Sequence, residues 1–487
     1  MSPDFSSCGP VPTPAVDSAA HPTARRALLK GLLGVAGVSA LAGVAKAGPL
    51  TPPAGPVASS GKTLTDVEPR TPIGPTTTPG DGTATYVISQ PGSYYLTGGI
   101  TTTAGKAGIR IAASRVTIDL MGFTISGPGS AGITDGGAAL SDIRIHSGSV
   151  AGVGGIGISL TTSDRTRLER LTARGCAGTG FAAGQNCHAE DLDADQNTAT
   201  PGLAGGISLG DQAAVVTCNA RGNTGGGIRA GVDSRCEECV CTSNTGIGIE
   251  VQGAGRVERC MAGSNGGAGI SGPSTIGSSV AVSNTGRGVT TTRAAIMNST
   301  SYSNGDVGFS TGGGGTISGC VAAWQTGTAA GFSLGSVGVA ESCVAYRNAG
   351  TGIAALQHGR VNNCVARGNT GHGISGDSGT CYITRNSCSD NGVFNGSLAG
   401  IWMGGVAGRI EGNLCSGNQS YGIYVTAAAN VIVRNTCSTN RVNWSIFSNC
   451  IFGTVVDRTS PGVSGMSGNG TVASTMGTTD PFANISL

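Results

Sequence analysis

The sequence predicts an all-β fold, a solenoid of short strands. Three observations carry that prediction: a narrow residue palette, an apolar anchor that returns about every 21 residues, and an asparagine that keeps step with it. Of 487 residues, 86 are glycine and only 11% are charged. Ser, Thr, Asn and Val fill much of the remainder. β-Branched side chains pack on pleated strands and Gly and Asn accept positive φ at bends, so short strands and tight turns are favoured over long helices.

The anchor is a glycine followed by an apolar residue. It stands at Gly206-Ile207, Gly227-Ile228, Gly248-Ile249 and Gly269-Ile270 with a spacing of 21. It continues less regularly through Gly288-Val289, Gly308-Phe309, Gly331-Phe332, Gly352-Ile353, Gly373-Ile374, Gly400-Ile401 and Gly422-Ile423. Weaker copies at Ile109, Ile133, Ile156 and Phe181 precede these and Ile446 closes the series, which makes 16 anchors.

Four residues before most of these glycines stands an asparagine: Asn223, Asn244, Asn265, Asn284, Asn304, Asn348, Asn369 and Asn418. Eight residues further back runs another apolar column with Val215, Val257, Ile276, Ile296, Val361, Ile383, Ile410 and Ile432. Three short strands and three bends per period describe one coil. A coil cannot bury its own apolar face, so coils stack, at roughly 4.8 Å each, and about 16 of them give a rod of roughly 70 Å. The coils are too long for a hexapeptide left-handed helix, and the leucine framework of a leucine-rich repeat is absent. An asparagine at a bend tolerates the left-handed conformation, and stacked amides bond from coil to coil.

These N-x-x-x-G-I columns, together with RVTIDLMGFTISG (115–127), resemble the right-handed parallel β-helix of the pectate-lyase-like superfamily, with its PbH1-type repeats and asparagine ladder. The likeness covers roughly residues 106 to 447. It implies a right-handed winding. The superfamily holds lyases, hydrolases, epimerases and non-catalytic surface proteins, so the resemblance specifies fold more closely than activity.

The flanks read differently. Arg25-Arg26, an apolar run from Leu28 to Ala45 and Ala45-Lys46-Ala47 resemble a twin-arginine export signal over residues 1–47. The apolar run is too short and glycine-rich for a membrane span. Residues 48–80 form a Pro/Thr/Gly linker, 81–105 a small β cap, 106–447 the β-helix and 448–487 a tail that covers its last coil. The reading is therefore a periplasmic or secreted monomer. Removing the leader takes four of the 29 basic and two of the 27 acidic residues, leaving 25 of each. That neutral balance gives no bulk attraction for nucleic acid or an anionic membrane, and the absence of lysine after Lys106 excludes a lysine base from the main body.

Sixteen cysteines, among them CEECVC (236–241), invite a metal or disulfide reading. Register favours a simpler one. Cys218, Cys239, Cys260, Cys343 and Cys364 lie five residues before the ladder asparagine, where Ser279, Ser299, Asn386, Asn413 and Asn435 stand in other coils. Cys241, Cys388, Cys415 and Cys437 lie three before it, and Cys236 falls in the Val/Ile column. Cysteine at these places acts as a small inward hydrophobe. The rival is a buried thiol cluster of Cys218, Cys236, Cys239, Cys241 and Cys260 that holds a metal or forms a disulfide.

Function falls to outward side chains. In HAEDLDADQN (188–197), Leu192 and Ala194 point in while Asp191, Asp193 and Asp195 point out, a candidate calcium site or a paired acid and base, with a solvated acidic face as the plainer reading. The Arg-x-Glu pairs Arg235/Glu237, Arg256/Glu258 and Arg409/Glu411 read as a surface ladder that sets unlike charges side by side along the rod. The residue after each anchor also points out, and in the last three coils it becomes Trp402, Tyr424 and Phe447, with His372 and Tyr421 one place before their glycines, Asp377 three after Ile374, and Phe394 in an inserted loop. Such a strip suits the apolar faces of sugar rings, and a carboxylate near a histidine supplies acid or base. Its bland alternative is a surface on which the tail packs.

The expectation is an exported β-helix that contacts or processes a polysaccharide or cell-envelope glycan, with His372 and Asp377 as candidate catalytic groups and Trp402, Tyr421, Tyr424 and Phe447 as the binding surface. If it is an enzyme, it is a polysaccharide lyase, glycoside hydrolase or epimerase. The alternative is a non-catalytic structural, adhesive or surface-layer rod.

Overall fold

A computed structural model describes residues 69–200, 202–392, 396–457 and 478–487, all within the compact unit Lys62–Leu487. The leader, most of the linker and Phe394 lie outside the described residues. No described helix is long and apolar enough to cross a membrane.

The chain winds as an all-β parallel β-helix. One strand per coil joins an anchor sheet of 17 strands, and the other strands form a second sheet of 33. The anchors stack as the periodicity predicts, Ile207 on Ile228 on Ile249 on Ile270, and onward from Ile353 to Ile374, Ile401 and Ile423. These residues are buried, and the cost of ordering each coil is offset by the apolar surface that its neighbours cover.

Two anchors differ from the sequence reading. Ile158, not Ile156, pairs with Ile133 and Phe181, and Trp444, not Ile446, pairs with Ile423. Residues two apart share a strand face, so the alternation of apolar residues is satisfied by either choice and only the pairing register decides. A further coil precedes Ile109. Ala84–Ile88, Gly92–Leu96 and Ile100–Thr101 in the cap segment pair with Ala107–Ile111, Val116–Asp119 and Thr124–Ser126. Tyr86 is its anchor, and Thr71–Ile73 pairs in turn with Tyr94, Tyr95 and Leu96.

The ladder runs from Asn197 to Asn440, with Gln325 and Asn391 taking places where the sequence shows no asparagine at the expected spacing; at Gln325 it passes through backbone N–H groups, Asn304 N donating to Gln325 Oε1 and Gln325 N to Asn348 Oδ1. Asn244 is typical: its Nδ2 donates to Ala220 O and to Asn265 Oδ1, both at 3.0 Å, while its Oδ1 accepts from Asn223 N and Nδ2. The left-handed residue is not the asparagine but the one before it, as at Ser243 (φ 57°), Ser264 (φ 53°) and Ser283 (φ 53°). That residue makes the corner, which leaves the amide free to turn inward and along the stack. A second ladder, Asn386, Asn413, Asn435 and Asn484, runs through the column that cysteine holds in earlier coils. Its last rung comes from the tail, whose strand Asn484–Ser486 pairs with Thr436 and Cys437.

Of the 15 described cysteines, none of them disulfide-bonded, 14 are fully buried and Cys450 is partly so. They fill the interior as small hydrophobes, as the register argument expects.

Candidate functional site

The outer surface carries chemistry on two faces at opposite ends of the rod. The first is the ring face on the anchor sheet. Ser375, Trp402, Tyr424 and Ser445 occupy one row of consecutive coils, on strands Ile374–Gly376, Ala399–Met403, Tyr421–Val425 and Val442–Ile446. Because Ala399 is small, the Trp402 indole lies against the His372 ring of the previous coil, with centroids 5.0 Å apart and planes 13° apart. Tyr424 stacks on Tyr421 at 4.6 Å and 19°. The far edge of the indole covers Gly404, where a Cβ would come within 2.7 Å of it. Trp402, Tyr421 and Tyr424 remain half-exposed. The described tail residues pair with the 33-stranded sheet instead of covering these rings.

Three expectations change at this face. Phe447 is not in the row, since Ser445 takes the place beside Tyr424; Phe447 is exposed beyond the strand, a consequence of Trp444 being the anchor. His372 and Asp377 are not brought together, because strand Ile374–Gly376, about 10 Å of chain, runs between them. His372 is instead a pin: its Nδ1 accepts the backbone N–H of Ala399 at 3.1 Å, and burial pushes its pKa down to about 4. An imidazole held neutral in this way keeps the acceptor that Ala399 needs.

The second face was not singled out in the sequence. On the 33-stranded sheet Tyr95, Asp119, His146, Glu169 and Glu190 form one outward row, and Thr117, Arg144, Arg167 and His188 form the next. Arg144 donates from Nε and Nη2 to Glu169 Oε2 at 3.1 and 2.6 Å, and Arg167 pairs with the other oxygen. Burial pushes the Glu169 carboxyl up, and the hydrogen bond and charge of Arg144 with the charge of Arg167 more than offset it, leaving the group below its ordinary value. His146 Nδ1 lies 3.6 Å from Asp119 Oδ1, which also pairs through Oδ2 with Arg70 at 2.8 Å. Desolvation lowers the His146 pKa while the Asp119 charge opposes it. His188 and Glu190 meet at 3.2 Å. The arrangement places an imidazole beside an orienting carboxylate, with guanidiniums one row away, which is the equipment of acid–base chemistry on an anionic substrate. The legible signal was an ionisable residue at alternate positions in successive coils, Arg144-x-His146, Arg167-x-Glu169 and His188-x-Glu190.

Beside it, Asp193 and Asp195 line a shallow groove with Asn219, Arg221, Val240 and Thr242. Asp191 sits at a left-handed corner (φ 55°), and Asp195 lies between Arg174 and Arg221 at 3.3 and 3.6 Å. The three aspartates do not converge: among the described residues the one group of three His, Cys, Asp or Glu ligand atoms within 4.8 Å of one another is Cys236, Cys239 and Cys260. Two guanidiniums at Asp195 neutralise the charge that a calcium ion would use. The Arg-x-Glu ladder also differs from expectation. Arg235 stacks on Arg256 and Glu237 on Glu258, so like charges run along the rod there, and unlike charges meet both within a strand, as Arg409–Glu411 at 2.6 Å, and between coils, as Arg434–Glu411 at 3.1 Å.

No family model matches the chain and no curated protein matches it. Solved structures do match. The A-module of mannuronan C-5 epimerase AlgE4 from Azotobacter vinelandii is 14% identical, with 74% of this chain and 91% of that one covered and a TM-score of 0.32. The periplasmic alginate epimerase AlgG is 12% identical over 78% and 83%, with a TM-score of 0.31. The bacteriophage Phi29 gene product 12 N-terminal fragment is 12% identical over 75% and 70%, with a TM-score of 0.40. The overlaps are long and the superpositions loose.

Proposed function

We propose that this is an exported β-helix protein that binds polysaccharide, with sugar rings laid on the face built from Trp402, Tyr421 and Tyr424. The observation that carries the reading is the pair of stacked rings left half-exposed on consecutive coils. Sugars stack their C–H faces on aromatic rings, and a row repeating at the coil spacing of about 4.8 Å suits one extended chain better than a compact ligand. Pinning His372 against Trp402 fixes one ring before any ligand arrives, which lowers the ordering cost of binding. Export is supported by Arg25-Arg26 and the apolar run that follows.

The test is retention on a panel of immobilised neutral and uronate-containing polysaccharides, followed by tryptophan fluorescence titration with whichever is retained. Trp402→Ala is expected to abolish retention. Undiminished binding by a Trp402→Ala/Tyr424→Ala double variant that melts like wild type would sink the reading.

A second reading, a non-catalytic structural or adhesive rod, is favoured by one row of the 33-stranded sheet. Val240, Met261, Val280, Val321, Val344 and Val365 succeed one another outward, interrupted only by Thr300. Val240, Met261, Val280 and Val365 are exposed. A rod that associates through this row should change its sedimentation coefficient in Met261→Lys while glycan retention stays unchanged.

A further inference from the structure

The cysteine columns run the length of the rod as packing, yet at one level they do something different. Cys239 and Cys260 are stack mates in adjacent coils, and between them stands Cys236, in a column that is otherwise aliphatic: Val215 and Val257 flank it, and Ile276, Ile296, Ile317, Ala340, Val361, Ile383, Ile410 and Ile432 follow. A thiol thus replaces an aliphatic side chain in the coil where two further thiols face it. The result is three sulfurs within 4.8 Å of one another, with Cys260 Sγ 3.9 Å from Cys236 Sγ. All three residues are buried, at 0%, 0% and 2% exposure. The backbone N–H of Cys239 donates to Cys260 Sγ at 3.4 Å, which fixes where that sulfur sits.

We propose that Cys236, Cys239 and Cys260 form a trigonal thiolate site for one copper(I) ion. Sulfurs held about 2.3 Å from one ion in a trigonal plane stand about 4 Å apart, which the 3.9 Å between Cys236 and Cys260 matches and the 4.8 Å bound on all three allows with a small adjustment. Soft thiolates in a dry interior select a soft ion, and three ligands with no fourth side chain in the group suit copper(I) better than a tetrahedral zinc. No electron is transferred: one copper(I) ion enters, copper–sulfur bonds form and the thiol protons leave to solvent. The remaining cysteine stacks do not offer this. Cys388, Cys415 and Cys437 follow one per coil, so the outer two are about 10 Å apart and cannot share an ion.

The test uses the full chain, reduced and kept anaerobic, titrated with copper(I) against a chromophoric copper(I) chelator. Cys236→Val copies Val215 and Val257, and Cys260→Ser copies Ser279, so both substitutions have precedents in their own columns. Wild type is expected to hold one equivalent of copper more than either variant, with X-ray absorption showing three sulfurs around it. Cys320→Ser, a control at the same place in another coil, should keep that equivalent, and melting curves check that all four proteins are folded. Equal uptake by all four overturns the proposal and leaves the sulfurs as packing. No uptake by any of the four overturns it as well and leaves the three sulfurs as packing.

Discussion

From Asp119 to Glu190 successive coils carry carboxylates, imidazoles and guanidiniums at matching outward positions, whereas from His372 to Tyr424 they carry rings. Inside, the two regions are built alike, from stacked aliphatics and small residues. The difference shows how a solenoid separates its tasks. Inward positions are constrained by the stack on both sides, while outward ones are free to vary from coil to coil, so the chemistry changes along the rod and the fold does not. The two half-buried histidines make the contrast concrete. Burial lowers both pKa values, but His146 has a carboxylate beside it and His372 has only an indole and a backbone N–H.

The largest expected effect tests that contrast in acid. His372 titrates near 4 in the folded chain and near its ordinary 6.5 when unfolded, so above pH 6.5 neither state binds a proton. As pH falls from 6.5 to 4 the unfolded state takes up the proton first, and stability is lost, by ~3 kcal/mol once below the folded value. Urea midpoints at pH 7, 5.5 and 4 should therefore fall less in His372→Phe than in wild type. Parallel profiles would show that the imidazole is not held neutral by the fold.

Next in size is the charged face. Glu169→Gln leaves Arg144 and Arg167 without their shared carboxylate, and because both guanidiniums are about half exposed and can turn to water, the expected loss is ~2 kcal/mol, below that of a fully buried pair. Thermal melts of Glu169→Gln and of Glu190→Gln separate the two cases, since the exposed Glu190 should cost little. On the ring face, Tyr424→Ala alone should weaken polysaccharide binding by about tenfold, or ~1.4 kcal/mol, while Glu169→Gln leaves it unchanged. If the two variants exchange these outcomes, ligand binds at the charged end. The smallest effect is a titration: Asp119→Asn removes the charge that opposes desolvation, and the His146 resonance in an NMR pH series should move to still lower pKa.

How far the site could be read in advance follows from its distance in sequence. The pairing of Trp402 with Tyr424 was legible because both follow an unmistakable Gly-Ile anchor. Phe447 was misplaced because its coil is anchored by Trp444, two residues before the aliphatic residue that looked like the anchor. The Asp119, His146, Glu169 and Glu190 row stayed hidden because its members are separated by 27, 23 and 21 residues, and no fixed period connects them. Gln325 and Asn391 continued the ladder in coils whose length had changed, which spacing alone could not show.

By itself the sequence determined the winding: an inward residue every other position, a bend marked by an asparagine in most coils and a coil of about 21 residues allow few other ways to bury these side chains. Only the tertiary structure decided which outward groups meet. Coil lengths vary, a slip of two residues keeps every side chain on its own face, and so the backbone pairing between coils, not the local pattern, set His372 against Trp402, His146 beside Asp119 and three sulfurs within reach of one ion.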